Sequence, residues 1–252
     1  MNVNQLIILP CHSIWKGGPT AGICRAEWHL AHFQIEGQDH QCFRDQIIEC
    51  VRLLRLNPDA MLILSGGKTK IEAGPVSEAQ SYYNLLRVIA DDSDGSFLDR
   101  VFLEEYARDS FENVLFLLCR FYELTHKYPS IVAIQGFEFK RNRFINYHLT
   151  QALKFPKNRI FYYGKDPMPE PGSDHVSYLR KLREGEQTHA VNHFKTDPYG
   201  LKHPLMMKRS NRNPFNTKHR YHESNPSLRP FLEAISGTTE TTDLPTEFEF
   251  PW

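Results

Sequence analysis

Five short runs of apolar, largely β-branched residues constrain the fold of this chain more than any other feature. They are Gln5–Pro10, Met61–Ser65, Val101–Glu104, Ile131–Gln135 and Ile160–Tyr163. A strand with one solvated face alternates apolar and polar residues, and these runs do not. Each is therefore predicted to be a strand buried on both faces, as in a parallel sheet.

The segments between these runs have the period of amphipathic helices. Apolar residues recur every three or four positions in Asp39–Leu56, Ser77–Ile89, Ser110–Tyr128 and Lys140–Leu153. Ser110 is the expected N-cap of the third helix. Strands that alternate with helices imply right-handed crossovers, so the pattern predicts an α/β fold with a mainly parallel sheet between helical layers.

The connection between the first strand and the first helix is unusually long for a compact domain. About 28 residues separate Pro10 from Asp39, and they include Trp15 and Trp28. A segment of this length predicts a lid or binding loop. The alternative is a loop that only covers the edge of the sheet.

The pattern changes after Tyr163, which divides the chain into three parts. We predict an α/β core at 1–165, a C-terminal extension that packs on the core at 166–235, and an acidic tail at 236–252. One helix is expected in the extension, over Ser173–Glu184. Two alternatives remain for the tail: it lies across the domain through its aromatic residues, or it is disordered.

Composition argues against nucleic acid and anionic membranes as partners. Thirty basic and thirty acidic side chains cancel, so no overall charge attracts nucleic acid or an anionic membrane. The segment 202–222 carries six Lys or Arg and no acid, but it contains no RNA-binding motif, so we do not expect a nucleic-acid partner.

Cysteine number and hydrophobic segments point to the cytoplasm. The five cysteines include no CxxC pair, which argues against a zinc site or a disulfide scaffold, and no metal is predicted. The sequence has no signal peptide pattern and no apolar stretch long enough to span a membrane. We therefore expect a cytoplasmic protein without a membrane partner.

Polar or glycine-rich segments follow each of the first four predicted strands. They occupy 11–13, 65–69, 105–113 and 136–143. The carboxyl ends of parallel strands meet at one edge of the sheet, where open α/β folds bind ligands, so these segments are expected to line one cleft. The GKT at 67–69 is not part of a P-loop, because Leu62 stands where the first glycine is needed.

Three of these segments carry motifs that resemble domain-of-unknown-function family 218, the YdcF, SanA and ElyC group. The matching residues are Leu64–Gly67, Ser77–Ala79, Glu105–Arg108 with Ser110, Glu112 and Asn113, and Phe139–Arg143. The resemblance spans roughly 5–163 and implies a Rossmann-like three-layer α/β/α fold with these loops at one cleft. The chain looks most like the cytosolic eukaryotic branch, in which the C-terminal third is an added extension.

Two positions depart from the pattern of that family. Lys140 stands where relatives usually have a histidine three residues before the arginine, and Ser110 stands where many have threonine. A mechanism that uses the histidine as general base would therefore not transfer to this chain. The membrane anchor of many bacterial relatives is not carried over either.

The cleft residues predict a site for a small anionic molecule, because arginines, lysines and glycines lie beside carboxylates. The candidate ligand-binding residues are His12, Ser65, Gly66, Gly67, Lys68, Arg108, Ser110, Asn113 and Arg143. The candidate catalytic residues are Glu78, Glu112 and Lys140.

We predict an enzyme that acts on a nucleotide, a phosphorylated compound or an adenosyl compound; the cofactor and the reaction are not specified by the sequence. The alternatives are a non-catalytic binding or sensing domain that uses the same cleft, and an interaction protein.

The anion is expected between the glycine turn and the helix that begins at Ser110. Backbone N–H groups of Gly66 and Gly67 and the side chains of Arg108 and Arg143 are the expected donors, although a tight turn alone would also account for the glycines. Arg143 is expected outside the core. Its replacement by alanine should therefore weaken binding by about 2 kcal/mol and leave the fold intact.

Overall fold

A computed structural model describes residues 3–90, 97–236 and 248–252. Within these ranges, one parallel sheet has the strand order β3-β2-β1-β4-β5. The strands are β1 (Gln5–Pro10), β2 (Ala60–Ser65), β3 (Val101–Glu104), β4 (Ile131–Gly136) and β5 (Ile160–Gly164). The prediction of an α/β fold with a parallel sheet is confirmed, and the strands lie within one residue of the predicted runs.

The main helices also follow the sequence pattern. They are α1 (Asp39–Leu56), α2 (Glu78–Ile89), α3 (Ser110–Thr125) and a π-helix (Arg143–Ala152) after β4. The extension adds α4 (His175–Glu186), a second π-helix (Gln187–Val191), α5 (Asn192–Thr196), α6 (Leu205–Asn211), α7 (Tyr221–Ser224) and α8 (Arg229–Ile235).

The predicted cap of α3 is wrong by one residue. Asp109, not Ser110, is the N-cap, and its Oδ1 accepts a hydrogen bond of 2.8 Å from the backbone N–H of Glu112. Ser110 is the first helical residue, so its hydroxyl is free for other contacts. The helix ends at Thr125 because His126 takes a left-handed conformation with φ of 57°.

The sheet is buried by a helical layer on each face. Along β1, Leu6 and Ile8 point to one layer, while Ile7 and Leu9 point to the other. Helices α1 and α2 cover the Ile7 face, whereas α3, the first π-helix and the extension cover the Leu6 face. This two-sided burial is the reason that the strands lack polar alternation.

The long connection between β1 and α1 packs against the α1 and α2 layer. The Trp28 ring lies 5.4 Å from Phe43 and 5.7 Å from Tyr82, measured between ring centroids. Buried Glu27 accepts hydrogen bonds from the Gly22 N–H at 2.7 Å and from the Trp15 indole at 3.2 Å. Trp15 is thereby held within its own loop, and its backbone N–H donates to the Ser81 hydroxyl of α2 at 3.1 Å.

The extension shares the hydrophobic core on the α3 side. Phe194, Leu205, Tyr221 and Phe231 are buried in the same cluster as the residues of α3. Asn225 has no exposed surface, and its Nδ2 donates to the Cys119 carbonyl at 3.3 Å. Apolar contacts and hydrogen bonds therefore join the extension to the α/β core.

The end of the chain also contacts this core. Phe248 and Phe250 lie 4.9 and 5.1 Å from the Phe231 ring, and the Trp252 indole donates to the Leu153 carbonyl at 2.7 Å. Three acidic residues of the predicted tail, at positions 240, 243 and 247, lie outside the described residues. No helix in the described ranges combines the length and apolar character needed to cross a bilayer.

Phe231→Ala tests whether the extension stabilises the whole fold. Phe231 is 2% exposed, so its loss should lower the free energy of unfolding by about 3–5 kcal/mol in urea denaturation. Val176→Ala in α4 is the control, because Val176 is 78% exposed and should change stability by less than about 0.5 kcal/mol. Equal effects of the two changes would show that the extension folds separately from the core.

Candidate active site at the switch point of the sheet

The strand order gives the sheet one switch point, where the topology predicts a crevice. Strand β1 pairs with β2 on one side and with β4 on the other, so the connections that leave β1 and β4 run to opposite faces. Ligands of open parallel sheets bind in such a crevice. His12 follows β1 and Lys140 follows β4, so both lie at this switch point.

A buried hydrogen-bond network joins the carboxyl ends of β2 and β3 to the first turn of α3. The Ser65 hydroxyl donates to Glu104 Oε2 at 2.6 Å, and Asn113 Nδ2 donates to Ser65 Oγ at 2.8 Å. Burial raises the pKa of Glu104 to about 7, although the Ser65 hydroxyl and two backbone N–H groups favour its charged form. Ser65 and Asn113 thus lie together as predicted, but they serve to hold β2, β3 and α3 in place.

The glycine turn after β2 does not offer its backbone donors to a ligand. The Gly66 N–H donates to the Glu104 carbonyl at 3.0 Å, and the Gly67 N–H donates to the Ala107 carbonyl at 2.7 Å. This contradicts the expected anion site at the turn. Glycine is required for a different reason: a β-carbon at Gly66 would lie 2.8 Å from the β-carbon of Glu78.

Glu112 is held between two arginines. Its Oε2 accepts bonds of 2.9 Å from both the backbone N–H and the Nε of Arg108, and its Oε1 lies 3.3 Å from Nε of Arg209. Arg209 also donates to Asp109 Oδ2 at 2.7 Å. With its acceptor positions filled, Glu112 has no oxygen left for a substrate proton, so its predicted catalytic role is not supported.

The charge of Arg209 favours the ionised form of the Asp109 carboxyl. Burial alone would raise the pKa of this carboxyl, but the Arg209 charge and the hydrogen bond from the Glu112 N–H outweigh burial and lower it. Arg209 belongs to the basic segment 202–222, and its side chain is only 8% exposed. The segment therefore contributes a buried ion pair to the core, and Arg209 is not part of a surface patch.

Arg143 is also buried, against the expectation from the sequence. Its Nε and Nη2 donate to the two carboxylate oxygens of Glu186 at 2.6 and 3.0 Å, and the two side chains are 9% and 8% exposed. Its Nη1 donates to the Ser110 hydroxyl. A guanidinium so engaged is part of the core, so the expectation that Arg143 lies outside it is wrong, and Arg143→Ala is now expected to destabilise the fold.

Ser110 connects Arg143 to a buried histidine. Arginine can only donate hydrogen bonds, so the Ser110 oxygen accepts from Arg143. The Ser110 hydroxyl can then donate its own proton to His148 Nε2, which lies 2.8 Å from Ser110 Oγ. Burial lowers the pKa of His148 well below its usual value, and the Arg143 charge adds to this effect. His148 is therefore neutral at physiological pH.

Lys140 lies at the mouth of the crevice with a partly exposed side chain. Its Nζ is 4.7 Å from the centre of the Phe137 ring and 5.4 Å from that of Phe139. Among the described residues, none accepts a hydrogen bond from this ammonium. Burial lowers the pKa of Lys140 to about 8, and the charges of Arg143 and Arg212 act in the same direction.

His12 forms the other wall of the crevice. Its ring stacks on Phe137 with centroids 5.2 Å apart. Burial lowers the pKa of His12 well below its ordinary value, and Lys140, Arg143 and Arg212 lower it further. The lowered pKa favours the neutral imidazole.

Two carboxyl groups face these cations. Asp39, the first residue of α1, is 7% exposed, and its Oδ1 has no hydrogen-bond partner. Burial raises the pKa of Asp39 to about 7, against the charge of Lys140. Burial also raises the pKa of Glu78. The Arg212 charge and the hydrogen bond from the Thr69 hydroxyl act in the opposite direction.

Of the predicted residues, His12, Glu78 and Lys140 are left near the switch point, whereas Asn113, Glu112 and Arg143 are engaged within the fold. Lys68 is partly exposed and makes no hydrogen bond or ion pair with another described residue. Asp39, His148, Glu186 and Arg209 were not predicted. Asp39 could have been found as an acid at the start of the first helix, but no local signal marks Glu186 or Arg209 because both come from the extension.

A depression lies at the carboxyl end of β4, on the side of β5. It has a volume of about 510 Å³ and lies beside β5, lined by Asp45, Glu49, Gln135, Arg141, Tyr162, Tyr163, Gly164 and Lys165. Its cations are paired and about half exposed, as in the contacts of Arg141 with Glu138 and of Lys165 with Asp45. Across the described ranges, no three His, Cys, Asp or Glu side chains are grouped closely enough to hold a metal ion.

The fold and the crevice define a three-layer α/β protein with a parallel sheet and a charged switch-point site. An uncharacterised protein of Saccharomyces cerevisiae (strain ATCC 204508 / S288c), YOR238W, is 35% identical over 256 residues, with 84% of each chain covered. The chain belongs to the same protein family as this yeast protein. No family model matches the chain. No solved structure matches it.

The pairing of Arg143 with Glu186 can be tested through stability. Arg143→Met should lower the free energy of unfolding by about 3–5 kcal/mol, because it leaves Glu186 buried without a partner. The double variant Arg143→Met, Glu186→Leu should regain most of that loss in urea denaturation. Arg180→Met, at an exposed position of α4, is the control. A double variant no more stable than Arg143→Met would argue against the pairing.

Proposed function

We propose that this protein is an enzyme that acts on a small anionic molecule bound between the ends of β1 and β4. The observation that carries the proposal is the Lys140 ammonium, which no described residue satisfies with a hydrogen bond. The side chain is partly exposed at the carboxyl end of β4, so a ligand can reach the ammonium. A ligand oxygen would supply the missing acceptor.

The balance of charge around Lys140 favours an anion. Arg143 is paired with Glu186, so Lys140 is left as a cation without an acidic partner, and the Arg212 charge acts on it. Raised pKa values of Asp39 and Glu78 favour their neutral forms. Each shift reduces the negative charge beside Lys140, which favours the binding of phosphate or carboxylate groups.

The same groups can transfer protons near neutral pH. Lys140 has a pKa lowered to about 8 and Asp39 a pKa raised to about 7, so each can give up or accept a proton under physiological conditions. Titratable groups with opposite shifts in one crevice are typical of active sites. We assign proton transfer to Lys140 and Asp39, with Glu78 as a further candidate.

The ligand class remains the one expected from the sequence: a nucleotide, a phosphorylated compound or an adenosyl compound. We propose kinship with family 218 on the motifs at 64–67, 77–79 and 105–113, and such kinship would imply a small-molecule pocket at this edge. A cytoplasmic location fits such ligands.

Ligand binding should be visible as thermal stabilisation. At a ligand concentration about a hundred times its Kd, an anion from these classes should raise the Tm of the protein by roughly 5 °C or more. Lys140→Met should weaken binding roughly tenfold, because a charge-assisted hydrogen bond is lost. The measurement is a thermal-shift titration with nucleotides, sugar phosphates, adenosyl compounds and sulfate.

The matched control is Lys181→Met, which removes an exposed lysine from α4 and should leave the titration unchanged. Equal binding to wild type and Lys140→Met would contradict the proposed site. A compound that binds through Lys140 but is recovered unchanged after long incubation would indicate a binding or sensing domain.

Sulfate affinity should fall as pH rises from 6.5 to 9. Sulfate itself does not titrate in this range, whereas Asp39 gains negative charge above its pKa of about 7 and Lys140 loses positive charge above its pKa of about 8. Both changes disfavour the anion, so the Kd should increase. In Lys140→Arg the change near pH 8 should disappear. A Kd independent of pH in the wild type would contradict these roles.

A further inference from the structure

The depression beside β5 is lined by a buried amide that lacks a hydrogen-bond partner. Gln135 is 3% exposed, and its Oε1 accepts no hydrogen bond from a described residue. Its amide nitrogen makes no hydrogen bond with a described residue either. Buried polar groups are normally hydrogen-bonded, because an unsatisfied one is costly. The amide therefore presents an acceptor and a donor, side by side, to a molecule in the depression.

The register of the sheet places an aromatic side chain next to this amide. Gln135 of β4 pairs with Tyr163 of β5, and adjacent strands lie about 4.8 Å apart. Ile134 and Tyr162 are buried in the hydrophobic layer on the α3 side. Successive side chains of a strand point to opposite faces, so Gln135 and Tyr163 both point to the α1 side. Tyr163 lines the depression and is 38% exposed, so a ligand can reach its ring.

The charged groups around the depression already have partners. Two acids and two bases line it, so their charges cancel in number. The ion pairs are Asp45 with Lys165, Arg141 with Glu138, and Glu49 with Arg52. A ligand bound here does not need to supply a charge. The lining therefore favours an uncharged molecule that makes hydrogen bonds.

We infer that this depression binds a nucleobase, as the free base or as an uncharged nucleoside. A nucleobase is planar and carries an N–H donor beside an acceptor on its edge, so the Gln135 amide can pair with it through two hydrogen bonds, as glutamine does with adenine. The ring of Tyr163 supplies a surface on which the base can stack. A volume of about 510 Å³ lies in the range of small-molecule sites.

This inference goes beyond the proposed function and does not depend on it. The proposed anion site lies between the ends of β1 and β4, whereas the depression lies on the β5 side of β4. The two sites also differ in chemistry, because Lys140 is left without an acidic partner and the cations of the depression are paired.

Calorimetric titration of the full-length protein with adenosine, guanosine, cytidine and uridine tests the inference. Methylated probes that lack the donor of the base edge, such as N6,N6-dimethyladenosine and 3-methyluridine, are the matched ligands, and ribose is the control. At least one nucleoside should bind. Its methylated form should bind roughly tenfold more weakly, because the hydrogen bond to the amide is lost, and ribose should not bind.

Variants of the two lining residues separate a ligand contact from a structural role. Gln135→Met keeps the length of the side chain and removes the amide, so nucleoside binding should fall roughly tenfold. Since no partner in the described chain is lost, the Tm without ligand should not fall. Tyr163→Leu should weaken binding about fivefold or more through the loss of stacking, and Tyr163→Phe should retain it.

Gln46→Met is the matched control. Gln46 of α1 is also buried, with both amide atoms unpartnered, but it does not line the depression. Its replacement should leave nucleoside binding unchanged. An equal loss of binding in Gln46→Met and Gln135→Met would show that core packing, and not contact with the amide, controls the affinity, which would contradict the site.

Three results would overturn the inference. They are no binding of any nucleoside at millimolar concentration, unchanged binding in Gln135→Met, and a clear fall in the Tm of Gln135→Met, which would show that the amide serves the fold. The proposed function is tested separately by sulfate: Gln135→Met should lose nucleoside binding and keep sulfate binding. Nucleoside binding that is lost in Lys140→Met and kept in Gln135→Met would place the base at the switch point and contradict this site.

Discussion

The burial of the sheet on both faces is the constraint on which the rest of the structure depends. Strand β1 is central, and its side chains enter two separate hydrophobic layers, Leu6 and Ile8 on one side and Ile7 and Leu9 on the other. Neither layer could be omitted without exposing these side chains to water. The helices must therefore lie on both faces, and the connections after β1 and β4 must diverge. The crevice at the switch point follows from this geometry.

The extension changes the character of that crevice. Arg209 from α6 pairs with Asp109 and Glu112, and Glu186 from α4 pairs with Arg143. These buried pairs occupy side chains that would otherwise face a ligand. What is left at the crevice is a smaller set: Lys140, His12, Asp39 and Glu78, with Arg212 nearby. The extension thereby determines which charged side chains of the core are paired and which are left unpaired.

The remaining charges have unusual protonation for a common reason. Lys140, His12 and Asp39 lie where protein replaces water, so the charged form of each is disfavoured and their pKa values move toward neutrality or beyond. His12 becomes a neutral wall, while Lys140 and Asp39 stay able to exchange protons. These protonation properties are the basis of the proposed anionic substrate and proton transfer.

The sequence by itself determined the sheet, the main helices and the edge at which the site lies. Apolar runs such as Ala60–Ser65 and periodic segments such as Asp39–Leu56 specify local structure, because burial on two faces or on one face leaves a pattern in neighbouring residues. The placement of His12 and Lys140 after β1 and β4 follows from chain order alone. That is why these two residues could be predicted to lie near one crevice.

Only the tertiary structure decided which of the candidate residues are available. The sequence cannot tell that Gly66 and Gly67 donate within the fold, or that Glu186 pairs with Arg143, because these contacts join residues that are close only in space. Ion pairs between the extension and the core depend on how the two parts pack. The same packing left Asp39 Oδ1 without a partner. Chain order fixed the location of the site, whereas long-range packing fixed its charge.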